Sequence, residues 1–209
     1  MDGYGMSTVA IVDYGMCNVD SVARAVEECG GNPRLTDDPK DLRDATHIIL
    51  PGVGAFPEAM NNLRQRGFDQ GIREQVESGQ IPLLGICLGM QLLATKGFEG
   101  KETEGLNLIP GEVHRLQPVN KSDRVPHTGW NEVVPETESV LLAGIAPRKD
   151  FYFVHSYHLV CERQYVIAST PYAGGFTSIV GNGRVFGTQF HPEKSQRLGF
   201  ALLKNFLSM

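Results

Sequence analysis

No stretch of this 209-residue chain approaches the ~20 consecutive apolar residues that span a bilayer. Its opening, Met1-Asp2-Gly3-Tyr4-Gly5, lacks the basic-then-apolar order of a secretory leader, so a cytoplasmic location is expected. Cysteine is scarce: Cys17, Cys29, Cys87 and Cys161 are scattered and form no CxxC pair. That speaks against a disulfide framework and a structural zinc site, and free thiols are expected. Positive charge is in short supply, with 19 Lys and Arg against 24 Asp and Glu and a net charge of -5. Broad nucleic-acid affinity needs many phosphate-neutralising cations, so no nucleic-acid partner is expected. There is no P-loop and no GxGxxG dinucleotide signature.

What is present is an ordinary globular balance, 41% hydrophobic and 21% charged. The length suits one sizeable domain better than two small ones. No internal repeat, low-complexity tract or linker stands out, although the loop around 120–123 is the weakest point. Thr8 to Asp13 reads as a buried strand, followed by Val19, Val22, Ala23 and Val26 at helical spacing and a stop at Gly30-Gly31. His47 to Leu50 is a second buried strand, broken by Pro51-Gly52-Val53-Gly54. Helical patterns near 58–66 and 68–78 lead to a third strand at Pro82 to Ile86, and Leu88 to Thr95 reads as helix. Further strands are expected at Phe151 to Val154 and Val185 to Phe190. The chain closes on a helix in which Leu198, Leu202 and Phe206 share a face. Buried strands alternating with helices predict a single-domain α/β fold: an open, mainly parallel sheet with helices on both faces.

Gly85-Ile86-Cys87-Leu88-Gly89 lies between an apolar strand and a helix with the spacing of a G-x-S-x-G nucleophile elbow, cysteine replacing serine. Such a turn presents its nucleophile at the carboxyl end of a strand and the first turn of a helix, where positive potential favours a thiolate. The Leu88 amide is then free to meet an oxyanion. Cys17, Cys29 and Cys161 have no comparable setting and read as packing residues.

A thiol attacking an amide needs a base, and there are six histidines. His191 opens His191-Pro192-Glu193 directly after an apolar strand. Proline pushes the preceding residue toward extended geometry, and in extended chain residues two apart project to one side. Glu193 can then orient the His191 imidazole. His155 and His158 flank Ser156-Tyr157 and could line the same site. His47 and His114 look structural, and His127 stays open.

The elbow with Met90-Gln91, together with His191-Pro192-Glu193, closely resembles the triad-type, class I glutamine amidotransferases. Pro51 to Phe56, Gly129-Trp130-Asn131-Glu132, Tyr152 to Tyr157 and Phe190 to Ser195 resemble one branch, the subunit serving imidazole glycerol phosphate synthase in histidine biosynthesis. The likeness runs from about Val9 to the C-terminal helix. It implies a glutaminase domain over 7–209, with residues 1–6 an extra tail.

The resemblance implies that Cys87, His191 and Glu193 form a catalytic triad that hydrolyses glutamine through a cysteine thioester. Gly52 and Val53 would form an oxyanion strand opposite Leu88. Gln91 and Glu99 would contact polar groups of glutamine, and Ser156 and Tyr157 its backbone end. Glu99 stands at the family's offset, twelve residues after Cys87, but without the usual adjacent acidic residue. The ammonia would pass to a (β/α)-barrel cyclase, docked through Trp130 and its neighbours, that makes imidazole glycerol phosphate and AICAR. No metal or organic cofactor is implied. The triad itself does not separate this from amidotransferases of the anthranilate, guanylate or pyridoxal phosphate pathways, nor from a cysteine peptidase of related fold. The glycines of Pro51 to Gly54 further suggest that the isolated chain holds the Gly52 or Val53 amide turned away until the partner binds.

Overall fold

In β1 (Thr8–Val12) successive side chains alternate between the two faces of a sheet, and both faces are buried. Val9 and Ile11 pack with Val22, Ala25 and Val26 of α1 (Val19–Glu28) on one side. Ala10 and Val12 pack on the other side with the apolar stripes of two later helices. The computed structural model describes residues 7–78 and 81–209. The tail expected over 1–6 lies outside the described residues.

After β2 (Asn32–Thr36) come β3 (His47–Gly52), α2 (Phe56–Gln65), α3 (Phe68–Glu77), β4 (Leu83–Cys87) and α4 (Leu88–Leu92). The middle of the chain forms β5 (Ala94–Gly97), β6 (Thr103–Glu104), β7 (Ile109–Arg115), β8 (His127–Pro135), β9 (Lys149–His155) and β10 (Tyr157–Cys161). It ends in β11 (Val166–Thr170), β12 (Phe176–Asn182), β13 (Val185–Thr188) and α5 (Gln196–Leu207). Among the described residues the main sheet has nine strands in the order β2-β1-β3-β4-β13-β12-β11-β8-β9. The first five run parallel, and the pairings from β13 outward are antiparallel. A smaller sheet, β10-β7-β5-β6, packs beside it. Helices α2 and α3 cover one face through Phe56, Met60, Leu63, Phe68 and Ile72. On the other face α1 is joined by α5 through Leu202, Leu203 and Phe206. The fold is the expected α/β one.

Three local readings change. β2 escapes sequence notice because Pro33 lies within it; as an edge strand it tolerates a residue with no N–H to donate. Pro51 and Gly52 continue β3 instead of breaking it, opposite Ile86 and Cys87. The helix expected over 88–95 stops at Leu92, and Ala94–Gly97 is strand. There the carbonyls of Leu92, Leu93 and Ala94 accept from Leu106, Leu108 and Asn107, so tertiary pairing with the chain before β7 replaces helical bonding.

Candidate active site

Strand register gathers the site. Gly52 ends β3 opposite Cys87 at the end of β4, and Thr188 ends β13 opposite Ile86. The carboxyl ends of three neighbouring parallel strands therefore meet, and His191 follows β13 by three residues. Open α/β sheets bind ligands at such edges.

Cys87 has φ +55° and ψ -108°, a backbone state that residues with a side chain rarely adopt. Its neighbours make room for the turn. A Cβ on Gly85 would lie 2.7 Å from the Gly89 carbonyl, and one on Gly89 would collide with the Leu50 carbonyl oxygen. The buried Cys87 Sγ lies 3.8 Å from Gln189 Nε2 and 3.8 Å from the Val154 carbonyl oxygen.

His191 is buried, and its Nδ1 lies 2.7 Å from Glu193 Oε1. His191 itself is extended, as the proline requires, but Pro192 to Lys194 form a 3₁₀ turn. The carboxylate therefore reaches the ring by curling back and not along an extended strand. Burial opposes the charged imidazole, yet the neighbouring Cys87 sulfur and Glu193 carboxylate outweigh it and raise the pKa to about 10. Nε2 makes no hydrogen bond among the described residues. Ser195 holds the turn in place: its Oγ donates to the His191 carbonyl at 2.7 Å and accepts from Tyr152 N–H at 3.0 Å. Gly199 permits the close approach, since a Cβ there would collide with the Pro192 carbonyl.

Cys87, Leu88, Gln91 and His191 line one cavity of about 290 Å³ with Val53, Glu99, Ser156 and Tyr157. Gly52 and Glu193 line a narrow cleft behind it, beside His191 and Val53. Trp130 lines neither. Gln91 Nε2 donates to the Tyr157 carbonyl at 2.9 Å and to Gln189 Oε1 at 3.1 Å. Glu99 Oε2 accepts the N–H of Phe56 at 2.8 Å, so the carboxylate also caps the first turn of α2, where negative charge is favoured. Val53 donates its N–H to the Met16 carbonyl at 2.9 Å.

His155 lines the cavity; His158 faces a separate surface groove. His47 packs edge-on to Phe206 and His114 stacks on Phe98, both away from the cavity. Sequence reading assigned no role to Gln189, Tyr14, Lys194 or Ser195. Tyr14 carries a buried hydroxyl without a hydrogen-bond partner among the described residues, pressed against Gly52. Gln189 gave one signal, a polar residue inside an apolar strand end two positions before His191.

Residues 10–209 match the family "Glutamine amidotransferase class-I". The chain is 49% identical over 202 residues to imidazole glycerol phosphate synthase subunit HisH of Moorella thermoacetica, covering 96% of this chain and 94% of that protein. It is 45% identical over 198 residues to subunit HisH 1 of Campylobacter jejuni, covering 95% and 98%. In fold it is similar to the structure of PurLQS from Thermotoga maritima, with a TM-score of 0.75, 21% identity and 98% and 99% coverage. An elbow cysteine facing a buried imidazole–carboxylate pair across one cavity agrees with these likenesses, and the chain belongs to the class-I glutamine amidotransferase family.

Proposed function

We propose that residues 7–209 form the glutaminase subunit of an imidazole glycerol phosphate synthase, with Cys87, His191 and Glu193 as its triad. The observation that carries the assignment is the shared cavity: Cys87 on a strained elbow and His191, paired to Glu193, face the same 290 Å³ space. The Cys87 sulfur attacks the glutamine carboxamide carbon. His191 gives its proton to the leaving nitrogen, the C–N bond breaks, and ammonia departs from a glutamyl thioester. Water then attacks the thioester and returns a proton to His191 as the S–C bond breaks, releasing glutamate. Glu193 holds Nδ1 and the charge throughout.

The Leu88 amide and one amide of Gly52 or Val53 face the oxyanion in this reading. Gln91 and Glu99 contact polar groups of glutamine, and Ser156 and Tyr157 its backbone end. The nucleotide belongs to the partner, a (β/α)-barrel cyclase that consumes the ammonia in making imidazole glycerol phosphate and AICAR. The pair acts in the cytoplasm, where four free thiols are stable.

Alternation along β8 and β9 supports a docking face around the cavity mouth. Thr128, Trp130, Tyr152 and Val154 share the outward side, and Trp130 meets Tyr152 edge to face at 6.0 Å. Val154 and Val53, both exposed, stand at the mouth itself. An aromatic anchor on an apolar rim is what a partner covers, and a covered mouth keeps ammonia from solvent.

The test is turnover with glutamine and with ammonia, barrel partner added or omitted. The reading requires glutamine-dependent synthesis only when both chains are present. Ammonia must support the partner alone. Synthesis that ignores this chain, or peptide cleavage by it without a partner, would overturn the assignment.

A further inference from the structure

Beneath the outward face of β8, the opposite side of the same strand carries a hydrogen-bonded row that reaches the cavity. The Glu132 N–H donates to Asn131 Oδ1 at 2.9 Å. Asn131 Nδ2 lies 3.2 Å from His127 Nε2, His127 Nδ1 lies 3.0 Å from His155 Nε2, and His155 Nδ1 lies 2.9 Å from the Tyr157 carbonyl.

Both ends of the row are backbone groups with one possible role each. An amide N–H can only donate, so the Asn131 side chain must place its oxygen there and turn its NH₂ to His127. A carbonyl can only accept, so His155 must carry its proton on Nδ1. In a neutral ring Nε2 is then an acceptor, and His127 must also carry its proton on Nδ1. Every donor in the row points from β8 toward Tyr157.

At Tyr157 the row meets a second set of donors coming from the other side. The same carbonyl accepts Gln91 Nε2, which also donates to Gln189 Oε1 and so turns the Gln189 amide NH₂ to Cys87 Sγ. We propose that Asn131 and His127 are positioning residues: with both rings neutral and Nδ1-protonated, they hold the Tyr157 carbonyl and, through it, Gln91 in the glutamine-binding wall.

A charge on either ring would set two N–H groups face to face. Surroundings keep the charge away. His127 stacks on Tyr172 at 4.1 Å and meets Phe153 and Phe176. His155 packs on Phe153 and Phe176, with His158 and His191 as the other titratable groups near it. Burial lowers the pKa of His127 to about 4 and of His155 to about 3.

This role rests on the glutaminase reading, so the test has two independent arms. In the ¹⁵N-labelled full chain at pH 7, the ring nitrogens of His127 and His155 should show protonated Nδ1 and bare Nε2. In the complex with the barrel partner, His127→Leu and Asn131→Leu should raise the glutamine KM about tenfold, with kcat within about threefold, because each leaves a buried ring nitrogen unmet. His127→Asn, whose side-chain NH₂ takes the place of Nδ1–H, should recover most of the loss. An Nε2-protonated form of either ring overturns the proposal, as does a wild-type KM in a folded Leu variant. If the Leu variants do not fold, the tautomer measurement decides. A wild-type complex that does not hydrolyse glutamine would defeat the glutaminase reading itself, and the KM effect with it, while the tautomers would still report on the row.

Discussion

The backbone N–H of Val53 is bound to the Met16 carbonyl at 2.9 Å, although the Val53 side chain borders the cavity of Cys87. An amide engaged with Met16 does not serve an oxyanion, and one missing donor costs roughly 10²–10³-fold in rate. Glutaminase turnover by the chain alone should therefore be about that much slower than in the complex with nucleotide bound, mostly in kcat. Equal rates would show that the Val53–Met16 bond does not limit catalysis.

Cys87→Ser should abolish glutamine-dependent synthesis by the complex and leave ammonia-dependent synthesis intact. An electrophilic glutamine analogue should modify Cys87 and spare the other thiols, read by peptide mass spectrometry. Burial first, then the neighbouring Asp13 and Glu162 respectively, raise Cys17 and Cys161 to about 11, and burial also raises Cys29. All three thus remain protonated and slow near neutral pH.

His191 should govern the alkaline limb of the rate profile. Its folded pKa is raised to about 10, so the protonated imidazole that serves the leaving nitrogen is present below that pH and lost above it. Glu193→Gln removes one of the charges that raise it, and the limb should move to lower pH. His191→Ala should cost far more activity than Glu193→Ala, because one moves the proton and the other orients it. A pH–rate profile of kcat/KM for the complex checks both; equal tolerance of the two alanines would dissolve the pair's assigned roles.

Acid should destabilise the fold through its buried histidines. His127, His155 and His158 are lowered to about 4, 3 and 4, in each case by burial first, against 6.5 for an unperturbed ring. As pH falls below about 6.5 the unfolded chain binds protons that the folded chain does not, so stability drops down to the folded values. Thermal unfolding between pH 7 and 4 should show a falling Tm, with a shallower slope in His127→Asn. A Tm independent of pH over that range would contradict the buried neutral rings.

Gly89→Ala should destabilise by about 1–3 kcal/mol or prevent folding, since its Cβ would meet rigid backbone at Leu50. Gly183→Ala, whose added Cβ meets nothing but whose φ is +60°, should cost less, about 1 kcal/mol. Urea unfolding of the two variants compares collision with backbone preference directly.

Local pattern carried much of this protein. Strand β4, the elbow glycines around Cys87 and the apolar stripes of α1, α2, α3 and α5 are written in spacing that any window of the chain exposes. The His191-Pro192-Glu193 motif is equally local, and so is the extended geometry that proline imposes on His191. These readings survive because each depends on residues a few positions apart, where propensity and sterics act before any packing.

Tertiary structure decided the rest. Nothing near Leu93 in sequence says that α4 must end; the carbonyls that end it are claimed by N–H groups of 106–109. Glu99 reads as a substrate contact from its offset, but only the fold brings its carboxylate to the first N–H of α2, 43 positions away. Convergence of Gly52, Cys87 and His191 depends on the order β3-β4-β13, which sets a strand from the end of the chain beside one from its middle. The row from Asn131 to Tyr157 is invisible in sequence for the same reason: its members take their proton positions from backbone groups on β8 and β10, and only pairing of β8 with β9 lines them up. A chain specifies its short-range sterics residue by residue, whereas register and hydrogen-bond direction exist only once distant strands have met.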